Sequence, residues 1–173
     1  MSDPTVTPRF IADAMLGKLA RWLRLLGYDT LYSQESDSII AQLARSEHRI
    51  LLTRDRELAA RRGLRVILLT PTDFEMQVAQ IHAAVGIPPL TPRCMVCNGP
   101  LSPISLEMAH PHIPPHIAAT HRDFQQCQQC GKIYWRGTHW DGIRSRIARA
   151  LGCDQAPDTN SGVHFTSGEN RRQ

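Results

Sequence analysis

The sequence predicts an α/β fold, a parallel sheet flanked by helices, followed by a small cysteine-bound module. Three observations predict it. Between residues 9 and 85 a short apolar run gives way to a helical periodicity four times in succession. Each of these runs is followed by an aspartate: Asp13, Asp37, Asp55 and Asp73. Directly behind them stand two Cys-x-x-Cys knuckles, Cys94/Cys97 and Cys127/Cys130. Alternating strands and helices favour parallel pairing, because parallel neighbours need crossover connections.

Residues 9–12 read as the first strand, and Leu16, Leu19, Leu23 and Leu26 then recur at the spacing of an amphipathic helix that Gly27 stops. Residues 30–33 form a second short strand and residues 38–46 a helix. A clear strand at 49–53 precedes a helix at 56–62 ended by Gly63, and the pair at 65–69 and 74–85 completes the series. Gly86, Pro88, Pro89 and Pro92 make a turn-rich linker. In the cysteine module, residues 133–135 resemble a ribbon strand, and residues 152–173 are polar enough to predict a disordered tail. With 173 residues and 6 % aromatic side chains, the chain holds one ordinary core plus an accessory unit. The expected boundaries are 8–87 for the α/β domain and 92–150 for the cysteine module with a C-terminal helix.

Two thiolates about three residues apart can reach one tetrahedral zinc ion, and two such pairs complete a closed structural site. Cys94, Cys97, Cys127 and Cys130 are therefore the expected zinc ligands. The stretch between the knuckles exceeds ordinary ribbon spacing, and its prolines and histidines (His110, His112, His116, His121) suit an inserted loop. A disulfide pair is the competing reading and needs an oxidising compartment. Residues 1–9 lack an apolar run of signal-peptide length and no stretch has the length of a membrane span, so a reducing cytoplasm is expected, with no membrane partner. Cys153 reads as a free thiol.

Ligand chemistry in open α/β sheets gathers outside the carboxyl ends of the strands, where the four aspartates fall. Clustered carboxylates repel one another unless cations neutralise them, and hard Mg²⁺ or Mn²⁺ prefers such oxygens. One or two such ions can activate water and stabilise charge on a phosphodiester, so metal-assisted hydrolysis is the chemistry suggested. Against this, all four positions also read as helix N-caps, where aspartate is favoured for bonding free N–H groups. Lys18, Arg21 and Arg24 recur at every third position opposite the leucine face, a stripe that can grip a nucleic-acid backbone or simply be solvated. Arg144, Arg146 and Arg149 could extend it, and the net charge of +4 permits a polyanionic partner without requiring one. Trp22 and Trp135 could stack on bases, although packing is the commoner use of such tryptophans.

Three blocks carry a family likeness. They are Phe10-Ile11-Ala12-Asp13-Ala14-Met15-Leu16-Gly17-Lys18-Leu19-Ala20-Arg21-Trp22-Leu23-Arg24-Leu25-Leu26-Gly27-Tyr28-Asp29, then Leu51-Leu52-Thr53-Arg54-Asp55-Arg56, then Arg93-Cys94-x-x-Cys97-Asn98 with Cys127-x-x-Cys130-Gly131-Lys132-Ile133-Tyr134-Trp135-x-Gly137-x-His139. Over residues 9–147 the chain resembles the PIN-like ribonuclease family named after the C-terminal region of the Mut-seven exonuclease. The resemblance implies a PIN-type domain followed by a zinc ribbon, and a metal-dependent endoribonuclease acting on RNA. It assigns catalytic metal binding to Asp13, Asp37 (in Asp37-Ser38-Ile39-Ile40) and Asp55 (in Thr53-Arg54-Asp55), with Asp73 as a more variable fourth acid. Thr53 is expected to orient a metal water, Lys18, Arg21 and Arg24 to position RNA, and the product to carry a 5′-phosphate. Asp29 belongs to the motif without an assigned role. Two competing readings are a non-catalytic RNA- or ribosome-binding zinc-ribbon protein and an aspartyl phosphoryl-transfer site. The second lacks its nucleophile motif and has no place for the cysteines.

Overall fold

The computed structural model describes residues 7–86, 91–135, 145, 146, 148 and 149. The tail at 152–173, Cys153, Arg144 and the prolines at 88 and 89 lie outside the described residues. The chain divides into two compact units, Met1–Asn98 and Gly99–Gln173. The division follows Asn98, so the first knuckle belongs with the α/β unit, whereas the sequence reading grouped it with the second knuckle.

In the first unit β1 (Phe10–Ala12), β2 (Thr30–Tyr32), β3 (Ile50–Thr53) and β4 (Val66–Leu68) form one sheet in the order β2-β1-β3-β4. Every pairing is parallel, with Phe10 beside both Thr30 and Ile50, and Thr53 beside Leu68. The interior strands β1 and β3 are buried at every position, which is why Phe10-Ile11-Ala12 and Ile50-Leu51-Leu52-Thr53 read as nearly continuous apolar runs. The helices are α1 (Gly17–Leu25), α2 (Asp37–Ser46), α3 (Arg56–Ala59) and α4 (Phe74–Val85), with a single 3-10 turn over Ala14–Leu16 leading into α1.

From β1 the chain steps to β2 on one side, then crosses back over β1 to reach β3. Right-handed crossovers in opposite directions put α1 and α2 on opposite faces. Ile11 and Leu51 pack with Ile40, Ala44 and Leu58 on the α2 face. On the α1 face the half-buried Trp22 packs at 5.6 Å, tilted by 52°, against Phe74 of α4. Gly17 packs closely on β2: a Cβ there would sit 3.2 Å from the Tyr32 ring, which would have to shift to admit it. The reversal of direction makes a topological switch point between the carboxyl ends of β1 and β3, the place where such sheets open a crevice.

The second unit has an antiparallel sheet of β5 (Leu101–Ile104), β6 (Phe124–Cys127) and β7 (Ile133–Trp135). The stretch between β5 and β6, expected as a loop, instead folds into α5 (Leu106–Ala109), a 3-10 turn at His110–His112, and α6 (Pro115–Thr120). Ser105 caps α5 by accepting from the Met108 N–H at 3.3 Å. Ala109, Ile113 and Ala118 from this stretch pack on Phe124, Ile133 and Trp135 of the sheet. Burial of a side chain such as Phe124 contributes about 2 kcal/mol, which a loop would forgo. Trp135 thereby packs in the core and offers no face to a base.

Candidate functional site

Asp13 follows β1, is buried at 5 % exposure, and caps the 3-10 turn by accepting from the Met15 N–H at 2.9 Å. Its second oxygen accepts a short hydrogen bond from the Thr53 hydroxyl at the end of β3. The same Thr53 oxygen accepts from the Asp55 N–H at 2.9 Å. One buried hydroxyl thus ties the acids that follow the two interior strands, on either side of the switch point. Its single proton is directed at Asp13, and its bond from Asp55 comes from the backbone N–H two residues on.

Asp55 caps α3, with one oxygen accepting from Glu57 N–H at 2.7 Å and Leu58 N–H at 3.1 Å. Its other oxygen has no partner among the described residues. Asp73 caps α4 by accepting from Glu75 N–H at 3.1 Å and Met76 N–H at 3.3 Å, and follows the edge strand β4. Asp37 departs from the cap pattern: Ser36 holds the N-cap position and Asp37 is the first helical residue, 3.6 Å from the Arg61 guanidinium. All four acids stand at the carboxyl edge of the sheet. Only Asp13 and Asp55 are joined through a shared side chain.

The basic stripe is divided by burial. Lys18 and Arg21 are exposed on α1, with the Lys18 ammonium 5.5 Å over the Phe74 ring. Arg24 is 6 % exposed, and its guanidinium donates to the carbonyls of Thr30 at 2.8 Å, Met95 at 2.8 Å and Val96 at 3.0 Å. This corrects the expectation that Arg24 grips RNA: its donors clamp the first knuckle onto α1 and β2. Leu25, on the polar side of the helix and 2 % exposed, was the signal that this end of α1 is covered all round.

Asp29 acquires a role in the same assembly. It pairs with Arg49 at 2.7 Å and Arg9 at 3.0 Å, and accepts from the Asn98 amide at 2.7 Å. Burial alone would raise its pKa, but the hydrogen bonds from Arg49, Asn98 and Arg9 and the Arg49 charge prevail and lower it from 3.8 to about 2. Burial of Arg49 works to lower its own pKa, and its bonds to Asp29 and Glu47 reverse this and raise it. Asn98 also accepts from the Thr30 N–H at 3.1 Å, so the residue after the first knuckle is fixed to β2.

The four cysteine sulfurs lie within 4.8 Å of one another. Tetrahedral zinc with Zn–S bonds of 2.3 Å requires sulfurs roughly 3.8 Å apart, so the cluster fits the ion. Each knuckle points N–H groups at its first sulfur: Cys97 N–H to Cys94 at 3.5 Å, and Gln129 and Cys130 N–H to Cys127 at 3.4 and 3.5 Å. N–H groups aimed at a sulfur are the outer partners that hold a zinc ligand in place. Each knuckle closes on a left-handed residue, Asn98 at φ 68° and Gly131 at φ 72°. Among the described residues, this is the group of three or more ligating side chains gathered so closely. No helix there is long and apolar enough to cross a membrane.

The family model described as the Mut7-C RNAse domain matches residues 8–147, which include both the acidic edge and all four cysteines. No curated protein and no solved structure matches the chain.

Proposed function

We propose that this chain, which belongs to the Mut7-C RNAse domain family, is a metal-dependent endoribonuclease that hydrolyses RNA at the carboxyl edge of its parallel sheet. The observation that carries this reading is the Thr53 hydroxyl, which bonds both Asp13 and the Asp55 backbone at the switch point between β1 and β3. The bond to Asp13 joins the ends of two different strands and goes beyond what helix capping requires, because Asp13 already caps its own turn through the Met15 N–H.

Asp13, Asp37 and Asp55 would hold Mg²⁺ or Mn²⁺. Their hard carboxylate oxygens suit such ions, and one Asp55 oxygen has no protein partner among the described residues. The ion supplies an activated water and neutralises charge on the phosphodiester. The chain supplies placement. Thr53 fixes the Asp13 carboxylate, and the caps of the Ala14–Leu16 turn and α3 fix both aspartates. Exposed Lys18 and Arg21 give phosphate contacts for the RNA backbone. Asp73, which follows the edge strand β4, acts chiefly as the cap of α4. Zinc at the four cysteines is structural, since a full set of sulfurs leaves no position for water. Four cysteines gathered as a zinc-ligand set and not as disulfides suit a reducing cytoplasm.

The test is incubation of purified protein with labelled single-stranded RNA in Mn²⁺, Mg²⁺ or EDTA. Cleavage to 5′-phosphate ends in either metal, and none in EDTA, is expected. Salt-sensitive binding without cleavage in any metal would overturn the reading and favour a non-catalytic RNA-binding module.

A further inference from the structure

Aromatic side chains are few in this chain, and their burial is uneven. Among the described residues Phe10, Tyr28, Phe124, Tyr134 and Trp135 are buried, while Trp22, Tyr32 and Phe74 keep part of their surface in solvent. The accessible rings all adjoin one stretch, the Ala14–Leu16 turn and the first half of α1, directly behind Asp13. Tyr32 reaches it from the end of β2: its ring lies against Gly17, and its hydroxyl donates to the Ala14 carbonyl at 3.1 Å. Phe74 reaches it from the start of α4, with the Trp22 ring at 5.6 Å and the Lys18 ammonium 5.5 Å over its own ring. Met15, the most exposed large apolar side chain of the described residues at 64 %, stands in the same turn, and its N–H bonds the Asp13 carboxylate at 2.9 Å.

A single exposed apolar side chain is ordinary on a protein surface. Here the accessible rings and the exposed methionine share their stretch with two exposed cations, Lys18 and Arg21. Rings and a flexible thioether offer apolar faces, and the cations offer phosphate contacts. An unpaired nucleic-acid strand matches both, because its bases and its backbone are open together. A duplex would satisfy the cations alone, since its base faces are stacked inside and its accessible groove shows sugar hydroxyls and base edges.

We propose that this surface binds the unpaired bases of a single RNA strand beside the phosphate that is cut. The inference rests on the ribonuclease reading and deepens it by assigning the substrate class to Tyr32, Phe74 and Met15, none of which is a metal ligand. Lys18 and Arg21 hold the backbone whatever its sequence, and stacking on a ring is equally tolerant of base identity. The surface therefore selects for unpaired bases without selecting one base.

The test measures binding in EDTA, so that cleavage does not intervene, of a short oligoadenylate and of an abasic ribose-phosphate chain of the same length. Wild type should bind the oligoadenylate about tenfold more tightly. Phe74→Leu and Tyr32→Leu keep apolar bulk without a ring; with melting curves and zinc content matched to wild type, each should lose most of that advantage. Their affinity for the abasic chain and their salt slope should stay at wild-type values, which a merely structural role would not produce. Tyr32→Phe keeps the ring and should keep the advantage. Lys18→Ala should weaken both ligands equally and lower the salt slope by about one unit. Equal wild-type affinity for the two chains, or an advantage that survives in both leucine variants, would overturn the inference and leave the nuclease reading intact. A wild-type protein that never cleaves RNA in any metal, with the advantage present and lost in the leucine variants, would overturn the nuclease reading and keep the base-binding surface.

Discussion

Cys94, Cys97, Cys127 and Cys130 bring their sulfurs within 4.8 Å of one another, whereas Asp13, Asp37, Asp55 and Asp73 each bond a different local partner. Protonated thiols are small, nearly apolar groups that can gather before metal arrives. Ionised carboxylates repel, so each finds its own helix N–H groups or arginine instead. The backbone adds to the contrast. Two left-handed turns fix the cysteines in pairs, while the aspartates come from four separate strand ends. The four cysteines are therefore gathered where they can hold zinc, whereas the acidic edge is where the proposed catalytic metal would have to draw its ligands together.

The contrast is tested most severely at the cysteines. Structural zinc contributes about 10 kcal/mol or more to the folding of small modules, so Cys127→Ser or a strong chelator should unfold the β5–β7 sheet. Amide exchange of Phe124–Cys127 and Ile133–Trp135 should lose protection. Full zinc content with unchanged protection in the variant would refute the closed site.

Arg24→Ala should cost about 3 kcal/mol in urea unfolding, because three carbonyls lose a charged donor inside the fold. Lys18→Ala and Arg21→Ala should leave stability within about 0.5 kcal/mol and weaken RNA binding instead. A neutral Arg24→Ala would mean that the first knuckle is not held through this guanidinium.

A smaller effect belongs to Asp29. Its folded pKa lies below the ordinary 3.8, at about 2, so the stability it confers is present above pH 3.8 and is lost as pH falls toward 2. The amount is about 2 kcal/mol. The stability gap between wild type and Asp29→Asn should be constant above pH 5 and should close below pH 4. Acid release of zinc is common to both proteins and cancels in the difference. A gap independent of pH would show that the ion pairs with Arg49 and Arg9 are not its source. Smallest of all, Asp73→Ala should cost about 1 kcal/mol as a lost cap on α4.

Much of the α/β unit was legible because it is written locally. The leucine period of α1, the apolar runs of β1 and β3 and the aspartates behind them can each be read within a window of a dozen residues. Arg24 misled because its partners Met95 and Val96 are 71 and 72 positions away. Asp29 had no readable role for the same reason, since Asn98 lies 69 residues on. The insert looked like a loop because prolines and histidines break its helices into single turns. Its apolar positions, Leu106, Ala109, Ile113 and Ala118, were the available sign of packing. The pairing of Thr53 with Asp13 depends on strand order, which the sequence did not specify.

The central claim is that the reaction belongs to the proposed metal ligands, Asp13 and Asp55 at the switch point together with Asp37, and not to strand-end aspartates in general. The direct measurement is the RNA cleavage rate in Mn²⁺ of Asp13→Asn, Asp55→Asn and Asp73→Asn against wild type, each purified identically and matched in melting temperature. The account predicts a loss on the order of 10³-fold or more for the first two and a change within about threefold for the third. Cleavage by Asp13→Asn and Asp55→Asn at the wild-type rate would contradict it.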